Sequence, residues 1–219
     1  MEIIDTLNRA FIMFFLGFPV IMTTLMGFLS ISLLNLGVII LFLGQLIIVP
    51  IAVIILHMVT WILPGTHVAN SDIAMLIPSS YESIVTGGKI NVAPSYWIAH
   101  VVFLCSYIFS NALKVYNMDP VKTNTAWRIM NRKARSKMIM ILSAVILTLL
   151  ILIRLYTTQA ETVFGTIIGL AAFIPLGYGW YEVAIKSGAQ NGDIFGIVQQ
   201  MIPSIEDDTQ ASLCIPSSA

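Results

Sequence analysis

Residues 138–156, MIMILSAVILTLLILIRLY, decide the fold class of this chain. The stretch holds 19 residues and a single charged side chain, Arg154. A transmembrane helix needs roughly 20 mainly apolar residues. The whole chain has the same character, since 58% of its residues are hydrophobic and only 10% are charged, against about 25% charged residues in soluble domains. The sequence therefore predicts an all-α fold, a polytopic transmembrane helical bundle.

About five membrane spans are predicted, at residues 10–34, 38–63, 96–116, 138–156 and 163–185. Together they define a transmembrane helical domain over residues 1–185. Asn35 and Gly37 mark a tight break between the first two spans, and Pro50 is expected to kink the second. Residues 64–95 and 117–137 read as polar loops, and RIMNRKARSK within the second, residues 128–137, reads as a basic entry into the fourth helix. Residues 186–219 read as a polar, partly disordered C-terminal tail.

The basic residues predict the orientation of the bundle. Five spans would place the Asn35 turn, loop 117–137 and the tail on one side of the membrane. That side carries eight Lys and Arg residues, against two, Arg9 and Lys89, on the other. Because cytosolic loops are enriched in Lys and Arg, we expect the basic side to face the cytosol or its equivalent. A re-entrant pair formed by the first two spans would change the side of the N-terminus.

The fifth span lies within ETVFGTIIGLAAFIPLGYGWYEVA, residues 161–184. Gly165 and Gly169 are four residues apart and share a helix face, a pattern that lets another helix approach closely. We expect these two glycines, together with Gly177 and Gly179, to pack against a neighbouring helix. Trp180 and its neighbouring tyrosines fit the aromatic belt of a membrane interface. A hinge or conduction path at Pro175 is the alternative.

Charged and metal-binding side chains are sparse within the spans. Arg154 and Glu161 lie near one membrane face and are predicted to form a charge pair. His57, His67 and His100 could approach one another, but no carboxylate or cysteine has ligand spacing with them. No nucleophile elbow, phosphate-binding loop or dinucleotide fingerprint is present. We therefore expect no enzyme activity, no catalytic residue, no metal and no cofactor.

The most informative polar stretch is KVYNMDPVKTNTAWRIMNRKARSKM, residues 114–138. Its basic residues fit three roles: orienting the chain, binding anionic headgroups, or docking an acidic partner. The acidic residues at 206–208 are predicted on the same side, where they could fold back on this segment or contact another subunit. The predicted partner or lipid contacts are Lys122, Arg128, Arg132, Lys133, Arg135 and Lys137.

Roughly the C-terminal half resembles a small multi-span membrane protein of nucleocytoplasmic large DNA viruses, of the algal and giant virus type. The resemblance rests on short motifs. They are NMDP at 117–120, NRK at 131–133, Arg154, Glu161 with Thr162 and Gly165, GYGWY at 177–181 and DIFGI at 193–197. It implies a virion protein of the internal lipid membrane beneath an icosahedral capsid, inserted in a host membrane during assembly.

Two functions follow from the resemblance and the composition. The first is a structural one, a membrane-embedded minor capsid component that links the internal membrane to the capsid. Its expected partners are the lipid bilayer, other capsid or minor capsid proteins and further copies of itself, but not nucleic acid. The alternative is a small channel or transporter, viroporin-like, which needs a polar stripe through the bundle. The polar residues within spans are mainly Gln45, Ser106, Ser110 and Asn111, with Ser143 and Thr148.

Overall fold

The computed structural model describes residues 2–33, 35–61, 94–118, 126–157 and 163–188. Within these ranges the chain is helical almost throughout and contains no strand, which confirms the all-α prediction. The α-helices are α1 (Glu2–Leu33), α2 (Leu36–Leu43), α3 (Val49–Trp61), α4 (Tyr96–Asn117), α5 (Ala126–Leu152) and α6 (Val163–Lys186). Two π-helical segments, Gly44–Ile48 and Ile153–Thr157, join α2 to α3 and extend α5.

Four helical stretches of the described chain are long and apolar enough to cross a membrane. They are Leu36–Leu56, Tyr96–Asn117, Ala126–Tyr156 and Val163–Lys186. The third to fifth predicted spans fall within these helices. The second, predicted at residues 38–63, overlaps Leu36–Leu56 and extends beyond its end. The first predicted span lies in α1, where the apolar stretch Gly17–Ser32 is shorter. The first crossing therefore remains a prediction.

Helix ends follow from local capping chemistry. Asn35 begins α2, because its side-chain oxygen accepts a hydrogen bond from the Gly37 backbone N–H at 2.8 Å. Ser95 begins α4 in the same way, accepting from the Ile98 N–H at 3.2 Å. Met118 is extended and ends α4. Gly188 closes the end of α6 with a φ of 93°, a conformation that glycine adopts without a steric cost.

Part of the polar loop predicted at residues 117–137 is helix, in agreement with the interpretation of residues 128–137 as a basic helix entry. Residues 126–137 are helical and form the first turns of α5. Arg, Lys, Met and Ala are good helix formers, and a search for apolar spans detects only the later, apolar part of such a helix. Outside the described chain lie residues 62–63 of the second predicted span, residues 64–93 of the other predicted loop, residues 119–125, and residues 189–219 of the predicted tail.

Helix α4 lies at the centre of the bundle. In the most apolar 18-residue stretch of α4, 78% of the residues are buried, whereas in the corresponding stretch of α5 only 11% are buried. Ile98 faces Gly169 and Ser106 faces Gly177, so α4 and α6 run parallel. Arg154 lies over Trp97 and Lys133 lies over Tyr116, so α5 runs antiparallel to both. The start of α5 therefore lies at the same end of the bundle as the end of α6.

The first helices form a hairpin against α4. Gly27 of α1 lies beside Phe42, so α1 and α2 are antiparallel about the Asn35 turn. Phe18 of α1 reaches the ring of Trp97, with 6.2 Å between the ring centroids. α1 therefore extends along the bundle from the Asn35 turn to the level at which α4 begins. This is the alternation of directions that the charge argument assumed.

The second span contains a widened turn, the π-helical segment just before Pro50. Pro50 lacks a backbone N–H, and its ring clashes with the carbonyl four residues earlier in a regular α-helix. That carbonyl belongs to Leu46, which lies in the π-helical segment Gly44–Ile48 directly before α3. A single π-helical turn is a known way for a helix to absorb such a clash.

Candidate functional site

The first turns of α5 form a basic surface at one end of the bundle. This basic platform comprises residues 126–137, ahead of the apolar part of the helix. Arg132 Nη2 donates a hydrogen bond to the carbonyl oxygen of Met118 at 2.5 Å. Lys133 Nζ lies 5.6 Å from the centroid of the Tyr116 ring. These contacts tie the platform to the end of α4, so the bundle holds its direction.

The outward side of the platform combines charge with apolar surface. Lys133, Arg135 and Lys137 are exposed, and Arg128 and Arg132 are partly exposed. Trp127 and Met130 are 65% and 64% exposed, and their spacing of three places them on one helix face. Of the six predicted contact residues, five therefore lie together on this surface. Lys122 lies outside the described residues.

The predicted packing glycines divide into two groups. Gly165, Gly169 and Gly177 are buried on one face of α6. A Cβ on Gly169 would lie 2.7 Å from Ile98 Cγ2, and a Cβ on Gly177 would lie 2.7 Å from the carbonyl oxygen of Phe103. Gly179 does not take part, because a Cβ there meets no atom within 4 Å. Two residues, about 200° of helix, separate it from the packed face.

Trp180 and Tyr181, which the sequence assigns to an aromatic belt, also take part in the packing between helices. The indole Nε1 of Trp180 donates to the carbonyl oxygen of Ile40 at 2.8 Å. Gly44 provides the space, because a Cβ there would lie 2.5 Å from Trp180 Nε1. Tyr181 is 1% exposed and its ring packs edge-on against Tyr107, with centroids 5.5 Å apart. Tyr178, by contrast, is exposed.

A buried polar pair joins the first π-helical segment to α4. Gln45 Nε2 donates to the carbonyl oxygen of His100 at 3.2 Å. The amide oxygen of Gln45 therefore faces the imidazole, where it contacts His100 Nδ1, and Nδ1 is the nitrogen that donates. The Tyr96 ring lies 4.2 Å from the imidazole centroid. Among the described residues, no partner contacts His100 Nε2 or Tyr96 Oη by a hydrogen bond.

The sequence singled out both members of this pair but did not connect them. The sequence predicts Gln45 as a candidate for the polar stripe of a pore, and His100 as a candidate neighbour of the other two histidines. His67 and the side chain of His57 lie outside the described residues. Within the described chain, no three His, Cys, Asp or Glu residues are grouped as a metal site would need.

Arg154 is buried in the second π-helical segment, beside α4. Its guanidinium carbon lies 5.3 Å from the centroid of the Trp97 ring, and only 6% of the residue is exposed. An arginine over a tryptophan face gains cation–π attraction, which is larger where water is excluded. Glu161, its predicted ionic partner, lies outside the described residues, so the charge pair stays a prediction.

Five other polar side chains of the spans bond to backbone. Tyr107 Oη donates to the carbonyl oxygen of Gly37 at 3.0 Å, and Ser106 Oγ donates to that of Ile174 at 2.7 Å. Ser110, Ser143 and Thr148 each donate within their own helix. Most of these groups therefore join helices or bond locally.

No protein-family profile, curated protein or solved structure matches this sequence.

Proposed function

We propose that the protein is a structural, non-catalytic membrane component whose basic platform docks a partner protein onto the membrane. In the setting that the viral resemblance implies, the membrane is the internal membrane of a virion. The partner is then a capsid or minor capsid protein, and the chain is itself a membrane-embedded minor capsid component. The observation that carries this proposal is the exposed platform, fixed to α4 by Arg132 and Lys133.

A fixed platform suits docking for an energetic reason. When basic side chains lie on a flexible loop, binding a partner also orders the backbone of the loop. The conformational entropy lost in this way reduces the affinity. Residues 126–137 are already helical and continuous with a membrane-spanning helix. Exposed Trp127 adds an apolar contact, and tryptophan and arginine are the residue types enriched among interface hot spots.

The interior of the bundle also supports a structural role. Tyr107, Ser106 and Trp180 each bond to the backbone of a neighbouring helix. Small residues on α6 bring its backbone against α4. Both features hold helices together in lipid, where the hydrophobic effect between helices is absent.

Cross-linking mass spectrometry of purified particles, with and without detergent stripping, tests the proposal. We expect a stoichiometric particle component whose cross-links to capsid subunits run through Lys133 and Lys137, and through Lys122. Lys114 provides the matched control, because it is exposed at the same end of the bundle but belongs to α4. Absence from particles, or capsid cross-links no more frequent at the platform than at Lys114, overturns the proposal.

The second candidate is a small channel or transporter, favoured by the buried pair Gln45 and His100. An ionisable residue inside a membrane-spanning bundle is a functional candidate in its own right, and π-helical turns such as Gly44–Ile48 often occur at functional sites. Flux through vesicles containing the purified protein tests it. Loss of flux in Gln45→Leu and Asn111→Leu, with particle assembly intact, selects the pore. No flux in the unaltered protein excludes it.

A further inference from the structure

The platform presents an apolar strip with positive charge on both sides. Trp127, Met130 and Ala134 follow the i, i+3, i+7 spacing of one helix face, and all three are exposed. Arg135 lies on one side of this strip, and Lys133 and Lys137 lie on the other. Such a surface suits a partner that offers apolar side chains next to carboxylates, because each half meets its complement.

The position of the strip favours a protein segment over lipid headgroups. α5 is one continuous helix, and Trp127 precedes the first apolar residue of the predicted span, Met138, by about 16 Å of helix axis. Electrostatic attraction to a charged bilayer falls off within a Debye length, about 8 Å at physiological ionic strength. The start of the platform, at Trp127, therefore lies at the outer limit of the attraction to headgroups, where an acidic protein segment has the advantage.

The chain itself carries a complementary segment. Residues 201–208 read MIPSIEDD, in which Ile202 and Ile205 precede Glu206, Asp207 and Asp208. Residues 187–219 contain these three carboxylates and Asp193, and no Lys or Arg. We propose that this acidic segment, which lies outside the described residues, docks on the basic platform of the same molecule. Its isoleucines then lie against Trp127 and Met130, and its carboxylates against the basic side chains.

The geometry of the bundle permits this contact. α6 ends at Lys186, at the same end of the bundle as the platform, and the described chain continues to Gly188. The 18 residues from Gly188 to Glu206 span about 23 Å as a flexible chain, and the platform is about 18 Å long. Tethering at this distance gives an effective concentration in the millimolar range, so weak contacts suffice for occupancy.

When the acidic segment docks, it covers the basic platform, which is the surface proposed above to bind the capsid protein. The acidic segment and a capsid protein then compete, and the platform is exposed only where a partner displaces the segment. This regulatory consequence rests on the proposed function. The contact itself does not, since it requires only the single chain.

The test is carbodiimide cross-linking of the full chain in nanodiscs of zwitterionic lipid, with no other protein present. An equal mixture of ¹⁴N- and ¹⁵N-labelled protein separates contacts within one molecule from contacts between two. We expect Lys133 and Lys137 to cross-link to residues 206–208 of the same molecule at least about fivefold more than Lys114 does, and the excess to vanish near 0.5 M NaCl because salt screens the attraction.

Charge reversal on the platform provides the second measurement. The double variant Arg128→Glu/Arg135→Glu keeps both lysines and is expected to reduce their cross-links about fivefold or more, by like-charge repulsion. The matched variant Lys114→Glu/Lys186→Glu has the same change in net charge at the same end of the bundle, and should leave them unchanged. Cross-links equal at Lys114 and Lys133, insensitivity to salt, or exclusively ¹⁴N–¹⁵N products overturn the inference.

Discussion

Gly177 of α6 lies directly against the backbone of α4 at Phe103, where an added Cβ would be 2.7 Å from the carbonyl oxygen. Ser106 fills the other side of the same contact, with its Cβ at 2.8 Å. A backbone carbonyl within a helix cannot turn aside as a flexible side chain can. The distance between α4 and α6 is therefore set by the absence of a side chain at this position.

Gly177→Ala is expected to destabilise the bundle by about 1–3 kcal/mol, because the added methyl group overpacks a rigid contact. Gly179→Ala is the matched control two residues away, where a Cβ meets nothing within 4 Å, and it should be neutral or slightly stabilising. Thermal unfolding in mild detergent measures both. Equal melting temperatures for the two variants would show that α6 does not pack on α4 through this face.

Trp180→Phe is expected to cost about 0.5–1.5 kcal/mol for the lost hydrogen bond to the Ile40 carbonyl oxygen, and more because the phenyl ring is smaller than the indole it replaces. Gly44→Ala should be more damaging, because its Cβ would lie 2.5 Å from the indole nitrogen and displace the ring. Tyr178→Phe serves as the control, since Tyr178 is 50% exposed. Unfolding followed by tryptophan fluorescence compares the three, and a Gly44→Ala protein as stable as the control contradicts this arrangement.

Gln45→Leu is expected to destabilise the bundle by about 1–3 kcal/mol, because the buried Nδ1 of His100 loses its acceptor. Removing both polar groups, as Gln45→Leu/His100→Leu, should cost less than the sum of the single changes. Thr148→Val is the control, since Thr148 is exposed and bonds only within its own helix. A double-mutant cycle measured by unfolding decides the matter, and strict additivity would mean that the two side chains do not interact.

The predicted charge pair is testable by a second cycle. Arg154→Met and Glu161→Gln should show a coupling of about 0.5–3 kcal/mol if the carboxylate reaches the guanidinium. Arg154→Met and Trp97→Leu should couple by about 0.5–2 kcal/mol through the cation–π contact. Glu182→Gln, near the opposite end of α6, is the control for Glu161. Additive effects of Arg154→Met and Glu161→Gln would show that the two side chains do not interact.

Orientation in the membrane can be read from single cysteines in a Cys105→Ala/Cys214→Ser background. A reagent that cannot cross the membrane should label Lys137→Cys and Ser187→Cys from the same side, because the helix directions place both at one end of the bundle. Lys89→Cys should label from the opposite side. The excess of basic residues predicts that the first side is cytosolic. Labelling of Lys137→Cys and Lys89→Cys from one side would contradict the five-span topology.

The basic platform, residues 126–137, is the part of α5 that a search for apolar spans does not detect. The apolar stretch places the membrane span at residues 138–156, and residues 128–137 read as a basic entry into that helix, but the pattern does not place the helix start at Ala126. Arg and Lys favour helix as strongly as many apolar residues do, so hydropathy alone does not find these turns. The clue was present in the sequence, as basic residues without Gly or Pro between Ala126 and Met138. Gly165 and Gly169 are identified from their spacing, and Gly177 from the glycine-rich segment after Pro175. Gly44 is not identified, because no small residue four positions away accompanies it.

The sequence alone determined that the chain is an all-α membrane protein, because about 20 apolar residues in a row have one stable arrangement in lipid. It also determined where α2 and α4 begin, since Asn35 and Ser95 cap the residues next to them. Only the tertiary structure decided that α4 is central, that Gln45 meets His100, and that Trp180 bonds to α2. Each of these contacts joins residues 55 or more positions apart. In a bundle whose helices are all apolar, hydropathy cannot specify which faces meet; close packing and interhelical hydrogen bonds do.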